Sequence, residues 1–506
     1  MIYHQILQEL QITTIWWWQE WSQGADEGEG RGARPHPQGV RRRAAAPRPG
    51  DSGSGQGEDW CQPDREEDTA DQARGRGKKL LAAQANGGGS ISGYSGFALV
   101  VAFLIALFGQ RFEPLLPYLK CLLFGFHGVK NSCSNGDSLY HVSDGRERKK
   151  VYDALRRAGL SFDENVKALI EKAASMGMLS HVIDLSLDAT HLMYHGTKKL
   201  RAWGAPFSTW LNRAFPGLNP TTAYDLASGL FLHVFDFVCK ASLSNRTYGK
   251  GKVMLGRVKG CIEFLEEASI RVRSVTGDEA FFSYLLLKWL VKSKIRYRIA
   301  VTSRSVLREY VPRIEEWVRM KDGRMIGIFR GALYRGIRTN LLAVKHHGST
   351  YLYVTSTRTL GALDAMRQYW RRGNHEKAIG YLKSFLSFAR IPSTKLSKVK
   401  GHVFSCLLLY VLLRKIAKEL NLNQGNGISP ATMQALLERP GVVKLVLDEK
   451  GATKGVLALV VVNRALMKKI GRSRLEIGES VIEFVEFRQS RSKKDGHVED
   501  FFVWNT

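Results

Sequence analysis

Residues 181–189 read HVIDLSLDA, with Ile183, Leu185 and Leu187 alternating with Asp184, Ser186 and Asp188. A period of two marks a β-strand with its acids on one face. Upstream the period is helical. Residues 144–157 set Val151 and Leu155 behind a basic outer face, and residues 161–177 carry Val166, Leu169, Ile170 and Ala173 at helical spacing. The second pattern opens on a capping box, Ser161 with Glu164 three residues on, and stops at Gly177. Beyond the strand, residues 255–268 read as helix, 270–275 as a short strand, 281–291 as an apolar helix and 295–302 as a strand. This alternation predicts a mixed α/β domain. Residues 324–333, 340–344 and 351–355 are β-prone, with turn signals at Asp322-Gly323 and His347-Gly348. A long helix is expected over 360–388 and an apolar one over 403–420. Residues 442–486 alternate apolar runs with turn residues and carry no functional signal.

Composition changes the picture mainly at the start of the chain. Residues 24–89 are a Gly/Arg/Pro/Glu/Asp/Gln mixture that cannot bury enough surface to offset its ordering entropy. The apolar cluster before it, residues 1–21, lacks a basic n-region and makes a poor secretory signal. The expected organisation is a disordered leader (1–90), a helical module (91–180) whose basic helix is either a solvated charged face or a surface for DNA, a mixed α/β domain (181–400) with a β-rich insertion at about 300–360, and a C-terminal helix with an α/β extension of unassigned role (401–506). Six cysteines without a C-x-x-C pair exclude a small disulfide scaffold and a zinc ribbon, and fit a reducing cytosol. The longest apolar run, residues 97–108, is short of the ~20 residues that span a bilayer, so it reads as a buried helix and no membrane partner is expected. No G-x4-G-K-[ST] occurs, so no nucleotide cofactor is expected.

Charge is the unusual quantity. The formal net charge is +28, yet residues 1–90 hold 11 basic and 13 acidic side chains. The excess therefore belongs to the remainder. Residues 291–345 alone hold 14 basic and 4 acidic side chains, which makes this β-prone segment a phosphate-contacting candidate.

Chemistry concentrates on the helix expected after residue 360. At 100° per residue, Tyr369, Arg372, Glu376 and Lys383 fall within a stripe of about 60°. A carboxylate, two cations and a phenol on one face suit a phosphodiester, although an i, i+4 surface pair would account for Arg372 and Glu376 alone. The spacing Tyr369-x2-Arg372-x3-Glu376-x6-Lys383 resembles the YREK signature of prokaryotic DDE transposases, the group of the fourth insertion-sequence family. Asp188, followed by Ala189-Thr190, resembles that family's first aspartate, and Asp278, in Gly277-Asp278-Glu279-Ala280-Phe281-Phe282, resembles its second. Thr394-Lys395 and His402 are also similar to the family, and the resemblance covers about residues 130–420.

The resemblance implies a ribonuclease-H-like mixed-sheet catalytic domain with a β-rich insertion. It implies Asp188, Asp278 and Glu376 as catalytic metal ligands for Mg²⁺ or Mn²⁺, two ions in number, and Tyr369, Arg372 and Lys383 as contacts to DNA phosphate. It further implies metal-dependent cleavage of transposon ends and strand transfer into target double-stranded DNA, by a homodimer in a synaptic complex, in a prokaryotic cytoplasm at the nucleoid. Relatives stabilise a flipped base with aromatics of the insertion; Trp317, Tyr334 and Tyr353 are the candidates here. Two other readings stay open: a metal nuclease of the same fold without strand transfer, and a degenerate transposon-derived protein that only binds DNA. Among weaker signals, Asp184 is a rival first carboxylate, Glu279 reads as a surface charge, the His191/His195 pair does not make a zinc site on a strand-turn, and Gly249-Lys250-Gly251-Lys252 reads as a basic turn.

Overall fold

The computed structural model describes residues 90–124, 145–194, 207–208, 213–214, 217–237, 247–301, 305–357 and 359–420, then 423–424, 427–428, 440–447, 453–463, 467–468, 470–471, 474–477, 480–494 and 497–505. Residues 1–89 of the expected disordered leader and His195 lie outside the described residues, and Ser90, expected as the leader's last residue, opens a strand. Strand β1 (Ser90–Tyr94) leads into α1 (Ser95–Phe108), then α2 (Leu116–Phe124), α3 (Gly145–Leu160) and α4 (Phe162–Ser175). Leu99 through Ile105 are buried, so the apolar run is a core helix. Ser161 precedes α4, but its side chain makes no cap hydrogen bond; α3 runs almost directly into α4, and the expected capping box does not form.

The central elements follow in chain order: β2 (Val182–Ala189), β3 (Thr221–Asp225), β4 (Phe231–Phe235), α5 (Thr247–Glu267), β5 (Arg271–Gly277), α6 (Tyr284–Lys292) and β6 (Arg296–Val301). The insertion supplies β7 (Trp317–Arg319), β8 (Met325–Tyr334), β9 (Ile337–His346) and β10 (Ser349–Thr355). These strands form one nine-stranded sheet in the order β7-β8-β9-β10-β6-β5-β2-β3-β4. Only β2-β5 and β5-β6 pair in parallel. The five strands β4-β3-β2-β5-β6 thus follow the order third, second, first, fourth, fifth, with the first, fourth and fifth parallel. This mixed α/β arrangement is consistent with a ribonuclease-H-like fold. The insertion extends the same sheet, because β10 pairs antiparallel with β6. Its β9-β10 turn puts His347 at φ 47° and Gly348 at φ 73°, the left-handed pair that a two-residue hairpin requires.

The alternation in β2 predicted one wet face, but both faces are covered: Ser186 is fully buried and Asp184 is 7% exposed. The helix Arg372–Phe385 lies over the polar face, its His375 reaching Ser186 Oγ. Strands β3 and β4 have no counterpart in the sequence reading. The segment expected as a basic turn, Gly249 to Lys252, lies inside the first turns of α5.

The helix expected over 360–388 is two helices, α7 (Ala362–Trp370) and α8 (Arg372–Phe385), meeting at Arg371. Arg371 keeps αR geometry, and Asn374 N–H bonds the Arg371 carbonyl three residues back. A tightened turn beside Gly373, a poor helix former, accounts for the break.

Helix α9 (Leu396–Glu419) is the one helix among the described residues long and apolar enough to cross a membrane; 78% of its apolar window is buried inside the protein. It crosses α3 backbone against backbone. A Cβ at Gly401 would lie 2.0 Å from the Leu155 carbonyl, and one at Gly159 1.7 Å from the Ser397 carbonyl. The C-terminal strands β11 (Pro440–Leu447), β12 (Thr453–Asn463), β13 (Arg474–Ile477), β14 (Ser480–Lys494) and β15 (His497–Asn505) make a second sheet that also takes in β1, in the order β1-β11-β12-β14-β13, with β15 on β14. Helix α1 packs on β11 and β12 and touches α9.

Candidate active site

Parallel pairing of β2 and β5 puts Leu187 level with Gly277, so the next residues, Asp188 and Asp278, leave adjacent strands at the same level and on the same face. Neighbouring strands are ~4.8 Å apart, so the two carboxyls are close neighbours. Asp278 ends its strand by capping the short turn Glu279–Phe281, its Oδ1 accepting from Ala280 N–H at 2.9 Å. Glu279 is exposed, in line with a surface charge.

Helix α8 approaches this end of the sheet. Arg372 Nη2 lies 3.2 Å from Asp188 Oδ1, and Nη1 donates to Glu376 Oε1 one turn along the helix. The Arg372 and Asp188 side chains are 13% and 15% exposed, whereas Glu376 is 53% exposed. Burial pushes the Asp188 carboxyl up to about 6, opposed by Arg372 and reinforced by the negative charges of Asp278 and Glu376. Asp278 is raised for the same first reason, against Arg372 and the Ala280 and Phe281 N–H groups. Lys383 belongs to the same electrostatic cluster: although much of its side chain reaches solvent, desolvation lowers its pKa, and the Asp188 charge resists that.

Tyr369 sits at the end of α7, not on α8, and is 8% exposed. Burial raises its pKa, opposed by Arg372 and supported by Tyr353, Asp278 and Glu376. Its ring meets Tyr353 of the insertion at 4.5 Å between centroids, 52° apart. Of the three insertion aromatics, Tyr353 therefore reaches the signature helices. Trp317 lies under Lys345 at 4.0 Å, and Tyr334 packs on Phe282 at 4.8 Å.

His375 has no counterpart in the sequence reading, and it fixes α8 to the sheet. Fully buried, it stacks on Tyr224 at 4.8 Å and 3°. Its Nε2 is 2.9 Å from Thr222 Oγ1, and its Nδ1 is 3.0 Å from Ser186 Oγ. Thr222 donates its only hydroxyl proton to the Asp188 carbonyl at 3.0 Å, so it accepts from Nε2–H and leaves Nδ1 to accept from Ser186. Burial, with Arg372 adding to it, drives the His375 pKa down to about 3, and the ring is neutral. The signal available in the sequence was a polar residue on the inward side of an amphipathic helix, next to Glu376.

Asp184, the rival carboxylate, is committed elsewhere. It accepts from Arg273 Nε at 3.0 Å, from Arg273 Nη2, and from Ser274 Oγ at 2.6 Å. Burial disfavours its charge, but these donors win and hold it below the usual range.

Asp188, Asp278 and Glu376 offer the hard oxygen donors that magnesium prefers. Among the described residues no three His, Cys, Asp or Glu side chains converge as a ready metal site, and Glu376 is engaged by Arg372 instead. The donor chemistry fits a divalent cation all the same: two adjacent, partly buried carboxyls whose charges repel are relieved by a positive ion.

Residues 183–412 match the family model of the transposase DDE domain. That match spans both aspartates, the insertion and both signature helices, and it supports a DDE transposase family and a transposition function. Among solved structures the chain is similar to the piggyBac transposase synaptic complex with hairpin DNA, determined by cryo-EM, at 12% identity and a TM-score of 0.36, covering 67% of this chain and 79% of that one. No curated protein matches.

Proposed function

We propose that this protein cleaves the ends of a mobile DNA element and joins them to target DNA, with Asp188, Asp278 and Glu376 as the catalytic carboxylates. The observation that carries the reading is the level placement of Asp188 and Asp278 on adjacent parallel strands, with α8 bringing Arg372 and Glu376 over them. Aspartates 90 residues apart in sequence meet only through this register, and nothing in packing asks for two neighbouring half-buried carboxyls.

The chain's residues divide the work by chemistry. Asp188 and Asp278, joined by Glu376 once it leaves Arg372, would hold Mg²⁺ or Mn²⁺, which supplies positive charge at the scissile phosphate and acidifies an attacking water or hydroxyl. Arg372, freed from Glu376, offers a planar fork to phosphate oxygens, and Lys383 offers a mobile point charge beside it. Tyr369 offers a phenol held by Tyr353. His375 acts through Thr222 and Ser186 as a positioning residue for α8. The basic insertion supplies affinity for duplex DNA that is independent of sequence and sensitive to salt. Two metal ions, a homodimeric synaptic complex and a prokaryotic, nucleoid-associated setting belong to the same proposal.

The test is incubation with Mg²⁺ or Mn²⁺ and a duplex carrying the inverted repeats that flank the gene. Nicked and joined products are expected; cleavage without joining would favour the nuclease reading, and binding without cleavage the degenerate one.

A further inference from the structure

A second concentration of positive charge lies on the same face of the sheet, at the other end of β2. A cavity of about 220 Å³ opens between the strands and the α7-α8 junction. It is lined by Arg273, Arg296, Arg298 and Arg371, with Asp184 and Gln368. Asp184 is four residues before Asp188, so the cavity is roughly 13 Å from the catalytic carboxylates at ~3.3 Å per residue.

The charge in this cavity is unbalanced. Asp184 is its only acid and is already bound by Arg273 and Ser274. Among the described residues no carboxylate pairs with Arg296, Arg298 or Arg371. Arg298 is 5% exposed; its Nη1 reaches Ser274 Oγ at 3.3 Å, but its Nε has no partner. Gln368 Oε1 is also buried without a partner, and turning that amide over would present two N–H donors instead. Arg371 spends Nη2 on the Leu226 carbonyl at 3.1 Å. Burial, together with the charges of Arg296, Arg371 and Arg273, pushes Arg298 down to about 10 even though Asp184 supports it. A buried guanidinium with an idle donor, beside two more without acids, is costly unless an anion joins it.

The geometry points to a phosphate-binding site in this cavity, distinct from the carboxylate site, that takes a phosphate group from either a DNA strand or a small free phosphate. Arg298 would be its floor, with Arg296, Arg371 and Gln368 closing on the remaining oxygens. Because Arg371 is the residue where α7 meets α8, an anion here would brace the junction next to Arg372. The inference needs neither a metal nor DNA cleavage, so it fails or holds independently of the proposed reaction.

The test uses the full chain in EDTA, titrated with inorganic pyrophosphate and, at matched ionic strength, with sodium chloride, reading the melting temperature and binding calorimetry. Arg298→Met, Arg371→Gln and the surface control Lys259→Gln, whose ammonium pairs with Glu263 outside the cavity lining, are compared with wild type. Pyrophosphate should raise the wild-type midpoint saturably beyond chloride, R298M and R371Q should each need at least about tenfold more ligand, and K259Q should bind as wild type does. R371Q alters an exposed side chain, so it reads the site even where R298M folds poorly. Equal effects of chloride and pyrophosphate, or wild-type affinity in both R298M and R371Q, would overturn the site. Duplex binding across a salt series separates the two sources. For a strand phosphate, R371Q lowers the salt slope by about one and pyrophosphate competes with DNA; for a free phosphate, the slope is unchanged and both bind together.

Discussion

Arg372 reaches from α8 to the end of β2, where its Nη2 lies 3.2 Å from Asp188 Oδ1. The same guanidinium holds Glu376, so one cation bridges two of the three candidate catalytic carboxylates. In the absence of metal it is the charge that keeps them together. Arg372→Ala should therefore abolish cleavage, by about 10² or more, and leave the metal-free fold weaker by about 1–3 kcal/mol, because the half-buried Asp188 loses its partner. Arg372→Lys, which cannot bridge in two directions, should restore stability better than activity. Cleavage rates and denaturant midpoints of the two variants check this.

The raised Asp188 pKa has a definite sign for stability. Its folded value, about 6, lies above the unfolded value near 3.8, so folding favours the protonated form. The contribution is fully present below pH ~3.8 and is lost as pH rises through 6. Asp188→Asn should stabilise the metal-free protein at pH 7.5 by about 1–3 kcal/mol, and the gain should vanish towards pH 4. Added Mg²⁺ should raise the wild-type melting temperature and leave the variant's nearly unchanged. Urea midpoints across pH, with and without Mg²⁺, measure both effects.

His375 should behave as a neutral structural linker. With its pKa driven to about 3, it stays uncharged from pH 5 to 8, and an NMR titration should show no imidazole transition there. His375→Ala opens a hole against Tyr224 and leaves the Ser186 and Thr222 hydroxyls short of a partner, at a cost of about 2–4 kcal/mol. A proportional loss of Mg²⁺ affinity would confirm that it acts by holding α8 in place.

The crossing of α3 and α9 tolerates no side chain. Gly401→Ala would place a methyl 2.0 Å from the Leu155 carbonyl, so the helices must separate. A loss of about 1–3 kcal/mol, visible as a lower thermal midpoint, is expected, whereas Gly380→Ala at an exposed position of α8, with nothing within 4 Å, should be neutral or mildly stabilising.

What the sequence made legible was what local pattern encodes. The alternation of Ile183, Leu185 and Leu187 located β2 and Asp188, and the His347-Gly348 turn located a hairpin, because period and turn chemistry act within a few residues. Strands β3 and β4 escaped notice: at five residues each and almost wholly buried, they show no alternation. The break at Arg371 was hidden because the residues around it keep helical periodicity on both sides. His375 and the arginine cavity were hidden for another reason: their partners lie far away in sequence, on β2, β3, β5 and β6, and only the sheet order brings them together. The YREK spacing itself survived, with its tyrosine on α7 and its other three members on α8.

The most direct test is cleavage and joining of the inverted-repeat duplex in Mg²⁺ by wild type beside Asp188→Ala, Asp278→Ala and Glu376→Ala, each first shown to fold. Wild type should nick and join the ends, and each variant should lose at least about 10³ in rate while still binding the duplex in EDTA. Cleavage that persists in any of the three, or that proceeds at the wild-type rate without a divalent cation, would contradict the assignment of these carboxylates.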